Sequence, residues 1–255
     1  MTPRRRWQRS LEAGEKSLRA SAIPINNHAM KPSSERFCLR TALFVIATLL
    51  LSGSAFARHH HRQTPSESVA GQFDYYLLSL SWSPAYCLTH PDDRAQCGSK
   101  GFGFVLHGLW PQFDSGGYPQ NCATNSTLTT EATALGQSLY PSPKLVGHEW
   151  DRHGTCSGMD AVNYFRTADR AAAAVKIPAM FEAPASMLQM SGTQIIAAFH
   201  ASNPAIPGNA LAVECSRGQL SEVRVCLTRD LKTRDCGRGV RSNCSDGPVQ
   251  IRSSR

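Results

Sequence analysis

Within residues 219–228, Val223, Val225 and Leu227 occupy alternate positions, the period of a strand with one buried face. Residues 73–82 (FDYYLLSLSW) form a nearly unbroken aromatic and aliphatic run and read as a buried strand. Residues 102–107 (FGFVLH) read as a second strand with His107 at its end, and residues 210–215 as a third. Helical spacing appears elsewhere. Residues 129–139 predict a helix that ends before Pro141, and residues 145–156 predict another. Asp160 is a candidate N-cap for a helix through Ala171–Ala174, stopped by Pro178. Ser191 and Gln194 form a capping-box pattern ahead of Ile195, Ile196 and Phe199, and that helix ends near Asn203-Pro204. Residues 113–127, with their Gly, Pro, Asn and Ser, predict an exposed loop. No repeat is visible, and strands and helices do not alternate regularly. The pattern predicts one α+β domain, a mainly antiparallel sheet with helices packed against it.

One hydrophobic stretch falls outside this scheme. Residues 41–51 (TALFVIATLLL) are too short to span a bilayer comfortably and suit the core of a signal peptide. Lys31, Arg36 and Arg40 precede the stretch, and Ala55-Phe56-Ala57 follows as a small-x-small cleavage site. The expectation is a leader over residues 1–57, with translation starting at Met30 and cleavage after Ala57. A flexible polar start over 58–70, including His59, His60 and His61, would follow, then a functional domain over 71–255. The mature chain would be exported, periplasmic or secreted, without stable membrane anchoring.

Composition modifies this picture little. With 41% hydrophobic and 18% charged residues, the chain can build a core, which excludes a wholly disordered protein, a coiled coil and a multi-span membrane protein. The formal net charge of +8 hints at an anionic partner, but it is unevenly placed. Residues 1–57 carry nine Lys/Arg against three Asp/Glu, so most of the excess leaves with the leader. Residues 215–255 hold nine basic and four acidic groups, a modestly basic C-terminal region. Of nine cysteines, Cys38 lies in the leader and eight remain, an even number that implies disulfides in an exported chain. Eight cysteines allow on the order of a hundred pairings, and sequence alone does not choose among them.

The candidate chemistry lies in two stretches, HGLWPQ at 107–112 and HEWDRHGTC at 148–156. The second is not the HExxH pattern of zinc proteases. His148 and His153 stand five apart, and on an ideal helix they diverge by about 140°. The i, i+4 pairs are Glu149 with His153 and His148 with Arg152. Glu149 can orient His153 and raise its pKa, while His148 and Arg152 present two donor groups suited to a phosphate. His107 would complete an acid–base pair. Two imidazoles near pKa 6.5 can hold opposite protonation states. One can deprotonate a nucleophile while the other protonates a leaving group, with a cation offsetting the charge of a phosphorane. RNA supplies such a nucleophile in its 2′-hydroxyl, and Trp110 offers a flat surface for a base.

HGLWPQ followed by HEWDRHGTC resembles the two active-site segments of the ribonuclease T2 family, exported acid endoribonucleases. The likeness covers about residues 73–245 and includes SLSWSPAYC, ending at Cys87. The resemblance implies an α+β fold and cleavage of single-stranded RNA through 2′,3′-cyclic phosphates, leaving 3′-phosphate ends. It implies His107 as general acid, His153 as general base, Glu149 as catalytic carboxylate and His148 as phosphate ligand. Arg152 stands where the family often has lysine, which keeps the charge and changes its shape. Trp110 matches a base-stacking tryptophan, and Tyr118 falls where a second aromatic closes the base site. Gln112 occupies a position that is aspartate in some adenine-preferring relatives, so base preference is expected to be low. The implied disulfides are Cys87–Cys97, Cys122–Cys156, Cys215–Cys244 and Cys226–Cys236. No cofactor or metal is expected, DNA is not a substrate, and the protein is expected to be a monomer. Trp82, Trp150 and Phe104 are read as core, and His90 and His200 receive no role. Lys232, Arg234, Arg238 and Arg241 are read as a solvated surface. Two other classes stand beside this reading: a silent binding or storage protein on the same fold, and a metal-dependent exported hydrolase.

Overall fold

The computed structural model describes residues 68–123, 127–244 and 246–254. The expected leader, and residues 58–67 of the expected flexible start, lie outside the described residues. The described residues contain no helix long and apolar enough to cross a membrane.

A six-stranded sheet organises the fold, in the order β2-β1-β5-β6-β3, with β4 paired to β5 off that path. The strands are β1 (Tyr75–Trp82), β2 (Phe104–Gln112), β3 (Leu188–Met190), β4 (Leu211–Ser216), β5 (Gln219–Leu227) and β6 (Val249–Ile251). Every pairing is antiparallel except β5 with β6, so the sheet is mixed and, as expected, mainly antiparallel. The helices are α1 (Ser83–Thr89), α2 (Thr130–Leu139), α3 (Pro143–Arg152), α4 (Ala161–Ala173) and α5 (Gly192–Ser202).

The predicted caps are present. The Asp160 side chain accepts from the Asn163 backbone N–H at the start of α4, and Ser191 and Gln194 make both bonds of the capping box on α5. Three boundaries differ from expectation, each for a local reason. β2 continues through HGLWPQ to Gln112, and it tolerates Pro111 because β2 is an edge strand. The helix expected over 145–156 starts at Pro143, where a proline at the first turn loses no intrahelical bond, and it ends at Arg152. A separate 3₁₀ turn, Gly154–Ser157, follows. The short α1 has no strong periodicity and was not expected.

The pleat separates two faces of the sheet. Tyr76, Leu78, Leu80 and Trp82 from β1, with Leu109, Val223, Val225 and Leu227, join Tyr164, Phe165 and Ala168 of α4 and Phe199 of α5 in the main core. Each fully buried large side chain contributes roughly 1.5–3 kcal/mol. The opposite face begins as a small apolar cluster of Tyr75, Leu77, Ala212, Cys226 and Val240. It then turns polar: Ser79 pairs with Arg224 and Ser81 with Glu222 across β1 and β5. Four disulfides close the framework, Cys87–Cys97, Cys122–Cys156, Cys215–Cys244 and Cys226–Cys236.

Candidate active site

A bulge in β2 sets the position of His107. Ser79 pairs with Gly108 and Leu80 with Leu106, so His107 is the unpaired extra residue. Bulges of this kind re-aim a side chain. Here the imidazole reaches the polar face of the sheet, where its Nδ1 lies 2.6 Å from Glu222 Oε1. Glu222 also accepts from Ser79 Oγ (3.0 Å) and from Arg224 Nε (2.8 Å), and Arg224 donates onward to Glu214 (2.9 Å). Burial pulls the His107 pKa down, but the hydrogen bond and charge of Glu222, with the charge of Glu149, outweigh it and leave the pKa raised. Burial pushes the Glu222 carboxyl up, yet His107 and Arg224 hold it at about 2.

His153 follows the last residue of α3, at φ −119° and ψ −46°, so it does not continue the ideal helix. The ideal-helix divergence from His148 therefore does not apply. The two rings approach to 6.3 Å between centroids. His153 is buried, and Nδ1 has no hydrogen-bond partner among the described residues. Burial, followed by the charges of Arg152, His148 and His107, lowers its pKa to about 3. This corrects the expectation that Glu149 would raise the His153 pKa through an i, i+4 contact. The Glu149 carboxylate accepts instead from the Trp110 indole Nε1 across 2.7 Å. Glu149 is fully buried, and burial raises its pKa to about 7 against the opposing pull of His107, Trp110 and Arg152.

Gly108 makes this contact possible. A Cβ there would overlap both the Glu149 carboxylate and the Trp110 indole nitrogen. The glycine of HGLWPQ is thus required by the close approach of α3 to β2.

Trp110 is more than an exposed platform. Its ring lies 4.9 Å from His107 in an edge arrangement and 5.2 Å from His153 in a stacked one. The Arg224 guanidinium lies over it at 5.7 Å. Tyr118, well exposed, packs 5.6 Å from His153 and accepts from Arg152 (3.1 Å). The Tyr118 loop is tied to the end of α3 by Asn121 N–H to the Arg152 carbonyl (3.0 Å) and by the Cys122–Cys156 disulfide. His148 is exposed, and burial and Arg152 lower its pKa. Gln112 does not join the cluster. It is buried and donates to the Pro111 carbonyl (3.0 Å).

The structure thus gathers His107, Trp110, Tyr118, His148, Glu149, Arg152 and His153, and leaves Gln112 aside. Sequence reasoning missed Glu222 and Arg224. The alternation that puts Val223 and Val225 on the core face was the available signal, because it puts Glu222 and Arg224 on the other. A groove of about 460 Å³ runs from His107 and His148 past Tyr86, Ser142 and Lys144. His148, Glu149 and His153 each place a nitrogen or oxygen within 4.8 Å of the others, a group that could share a metal ion.

A mixed α+β sheet fold with two imidazoles, a buried carboxylate and an arginine around one indole defines the class of protein. Residues 73–236 match the model of the ribonuclease T2 family, and the chain belongs to that family. It is 43% identical over 120 residues to a ribonuclease from Aeromonas hydrophila, a match covering 47% of this chain and 54% of that protein. It is 31% identical over 188 residues to ribonuclease DdI from Dictyostelium discoideum, covering 66% of this chain and 80% of that one. The chain spans about half the length of several of the curated relatives it matches. Among solved structures, an RNase-related protein from Calystegia sepium shares the fold, with a TM-score of 0.60 at 24% identity over 72% of this chain and 98% of that chain.

Proposed function

We propose that the protein is an endoribonuclease that cleaves single-stranded RNA, with low base specificity, by acid–base transphosphorylation. One observation carries this reading: two imidazoles meet around Trp110 in environments that push their pKa values in opposite directions. Groups separated in this way divide into acid and base. His153 stays neutral and takes the proton of the 2′-hydroxyl. The 2′-oxygen bonds to phosphorus as the bond to the leaving 5′-oxygen breaks, and His107 delivers a proton to that oxygen. The product is a 2′,3′-cyclic phosphate, which water opens to a 3′-phosphate. Arg152 and His148 hold the phosphate oxygens and offset the phosphorane charge. Glu149 offsets the imidazolium that His153 becomes. Tyr118 and Trp110 border the base. The nucleophile belongs to the substrate, so DNA is not cut. The four disulfides support export, since such bonds persist in oxidising compartments.

A metal-dependent hydrolase is the second reading, favoured by the His148–Glu149–His153 group. Digestion of RNA in EDTA, with analysis of product termini, separates the two. Full activity with 2′,3′-cyclic and 3′-phosphate ends supports transphosphorylation. Loss of activity in EDTA, or 5′-phosphate ends, overturns it.

A further inference from the structure

The polar face of the sheet holds a chain of charged groups that leads out of the first motif segment. It runs from His107 on β2 to Glu222 and Arg224 on β5 and ends at Glu214 on β4. We propose that Glu222, clamped by Arg224 and Ser79, is the positioning residue of His107. It accepts from Nδ1–H and so commits Nε2 to the proton that His107 donates. The proposal rests on the acid–base reading above and adds to it the group that orients the acid.

Three observations converge on Glu222. The first is reach: the contact is 2.6 Å long, and it spans 115 residues of sequence. The second is fixation. Both carboxylate oxygens are engaged, Oε1 by His107 and Oε2 by Ser79 and Arg224. Arg224 is itself held on its far side by Glu214 at 2.9 Å. A carboxylate so anchored cannot follow the imidazole, so the imidazole is held to it. The third is the bulge. His107 has no ladder partner in β1, and the side-chain bond to Glu222 supplies a restraint at that position.

The chemistry decides which nitrogen acts. An ionised carboxylate only accepts hydrogen bonds, so Nδ1 must carry hydrogen. Imidazolium His107 then holds Nδ1–H against Glu222 and presents Nε2–H to the groove. When Nε2–H passes to the leaving 5′-oxygen, neutral His107 keeps its proton on Nδ1. The tautomer is therefore the same before and after turnover, and no rotation of the ring is needed. Other charged groups also face His107. Glu149 and His148 come from α3, with His153 just beyond it, Arg224 comes from β5, and Lys144 and Asp93 line the same groove. None of these is shown bonded to an imidazole nitrogen of His107, which is the distinction of Glu222.

The test varies the leaving group. A dinucleoside phosphate leaves as an alkoxide and needs the acid, whereas a nucleoside 3′-(4-nitrophenyl phosphate) leaves as a phenoxide and needs little protonation. Glu222→Gln should lower kcat on the dinucleotide by about 10²-fold, the scale of a misplaced catalytic group, with KM little changed. On the nitrophenyl ester it should lose less than about threefold. His107→Ala should show the same selectivity with a larger dinucleotide loss. Equal losses on both substrates would make Glu222 a structural residue and overturn the proposal. So would wild-type kcat on the dinucleotide in Glu222→Gln while His107→Ala is inactive. If His107→Ala itself keeps wild-type kcat, the acid–base reading fails first, and the proposal falls with it. A second measurement needs no variant fold. Nitrogen-15 NMR of the wild-type imidazole above its pKa should show the Nδ1–H tautomer for His107, and an Nε2–H tautomer would refute the assignment.

Discussion

The indole N–H of Trp110 donates to Oε2 of Glu149 across 2.7 Å, and the same indole stacks 5.2 Å from His153. The edge strand β2 and the end of α3 thus meet through one side chain. Trp110 orients the carboxylate by its nitrogen and packs against His153 by its ring. A base-stacking role taken alone would predict that its loss acts through substrate affinity. The bond to Glu149 predicts more.

Trp110→Phe keeps a flat ring and removes the donor, which leaves a buried carboxylate oxygen unpaired. Hydrogen bonds to charged groups contribute roughly 1.5–3 kcal/mol, and leaving such a group unsatisfied costs at least as much. The variant should lose kcat by about tenfold or more, with KM changed less than about threefold. Steady-state kinetics on dinucleotides measures both. A rise in KM with kcat intact would reduce Trp110 to a stacking surface.

The pH profile follows from the two imidazoles. In the proposed mechanism the base must be neutral, and His153 stays neutral down to about 3. The acid must be protonated, and the His107 pKa lies above the ordinary 6.5. kcat/KM should fall on the alkaline side only above 6.5. On the acid side His153 imposes a limb only near pH 3, whereas Glu149, at about 7, loses its charge as pH falls through that value. In Glu149→Gln, where that carboxyl no longer titrates, an acid limb between pH 5 and 6.5 in the residual activity would contradict the neutral, buried His153.

Glu149 trades stability for its position. Its folded pKa of about 7 lies above the ordinary 4.5, so the folded state binds this proton more tightly than the unfolded chain. Stability is fully present below pH 4.5 and declines as pH rises towards 7. Glu149→Gln keeps an acceptor for Trp110 and removes the buried charge. It should raise stability at pH 8 by on the order of 2–3 kcal/mol, with little change at pH 4, while kcat collapses. Denaturant unfolding at the two pH values measures the difference, and the same ΔΔG at both would contradict the buried-charge account.

Cys122–Cys156 links the Tyr118 loop to the 3₁₀ turn just after His153. Its separation of 34 residues corresponds to about 3–4 kcal/mol of loop-closure stabilisation as an upper figure. Removing it should also loosen the geometry, because Tyr118 and Arg152 are joined across the same junction. Cys122→Ser/Cys156→Ser should lose kcat at temperatures where circular dichroism still shows it folded. Wild-type kcat in the folded variant would make the bridge a stability element alone.

Local chemistry made much of this protein legible without a structure. Asp160 and Ser191 announce their helices because capping bonds involve residues only three apart. Val223, Val225 and Leu227 announce their strand because the pleat repeats every two residues. The two histidine-bearing segments are short, so their residue types and spacing stand in the chain itself. Tertiary structure decided what depends on distant pairing. The register of β1 against β2 leaves His107 in a bulge, and the register of β1 against β5 brings Glu222 to it across 115 positions. The end of α3 at Arg152 turns His153 off the helix, and the bare Cα of Gly108 admits Glu149 to Trp110 in place of His153. Burial then assigns the protons. Burial of Glu149 pushes its pKa towards 7 and burial of His153 pulls its pKa towards 3, and no single segment carries that burial in its own residues.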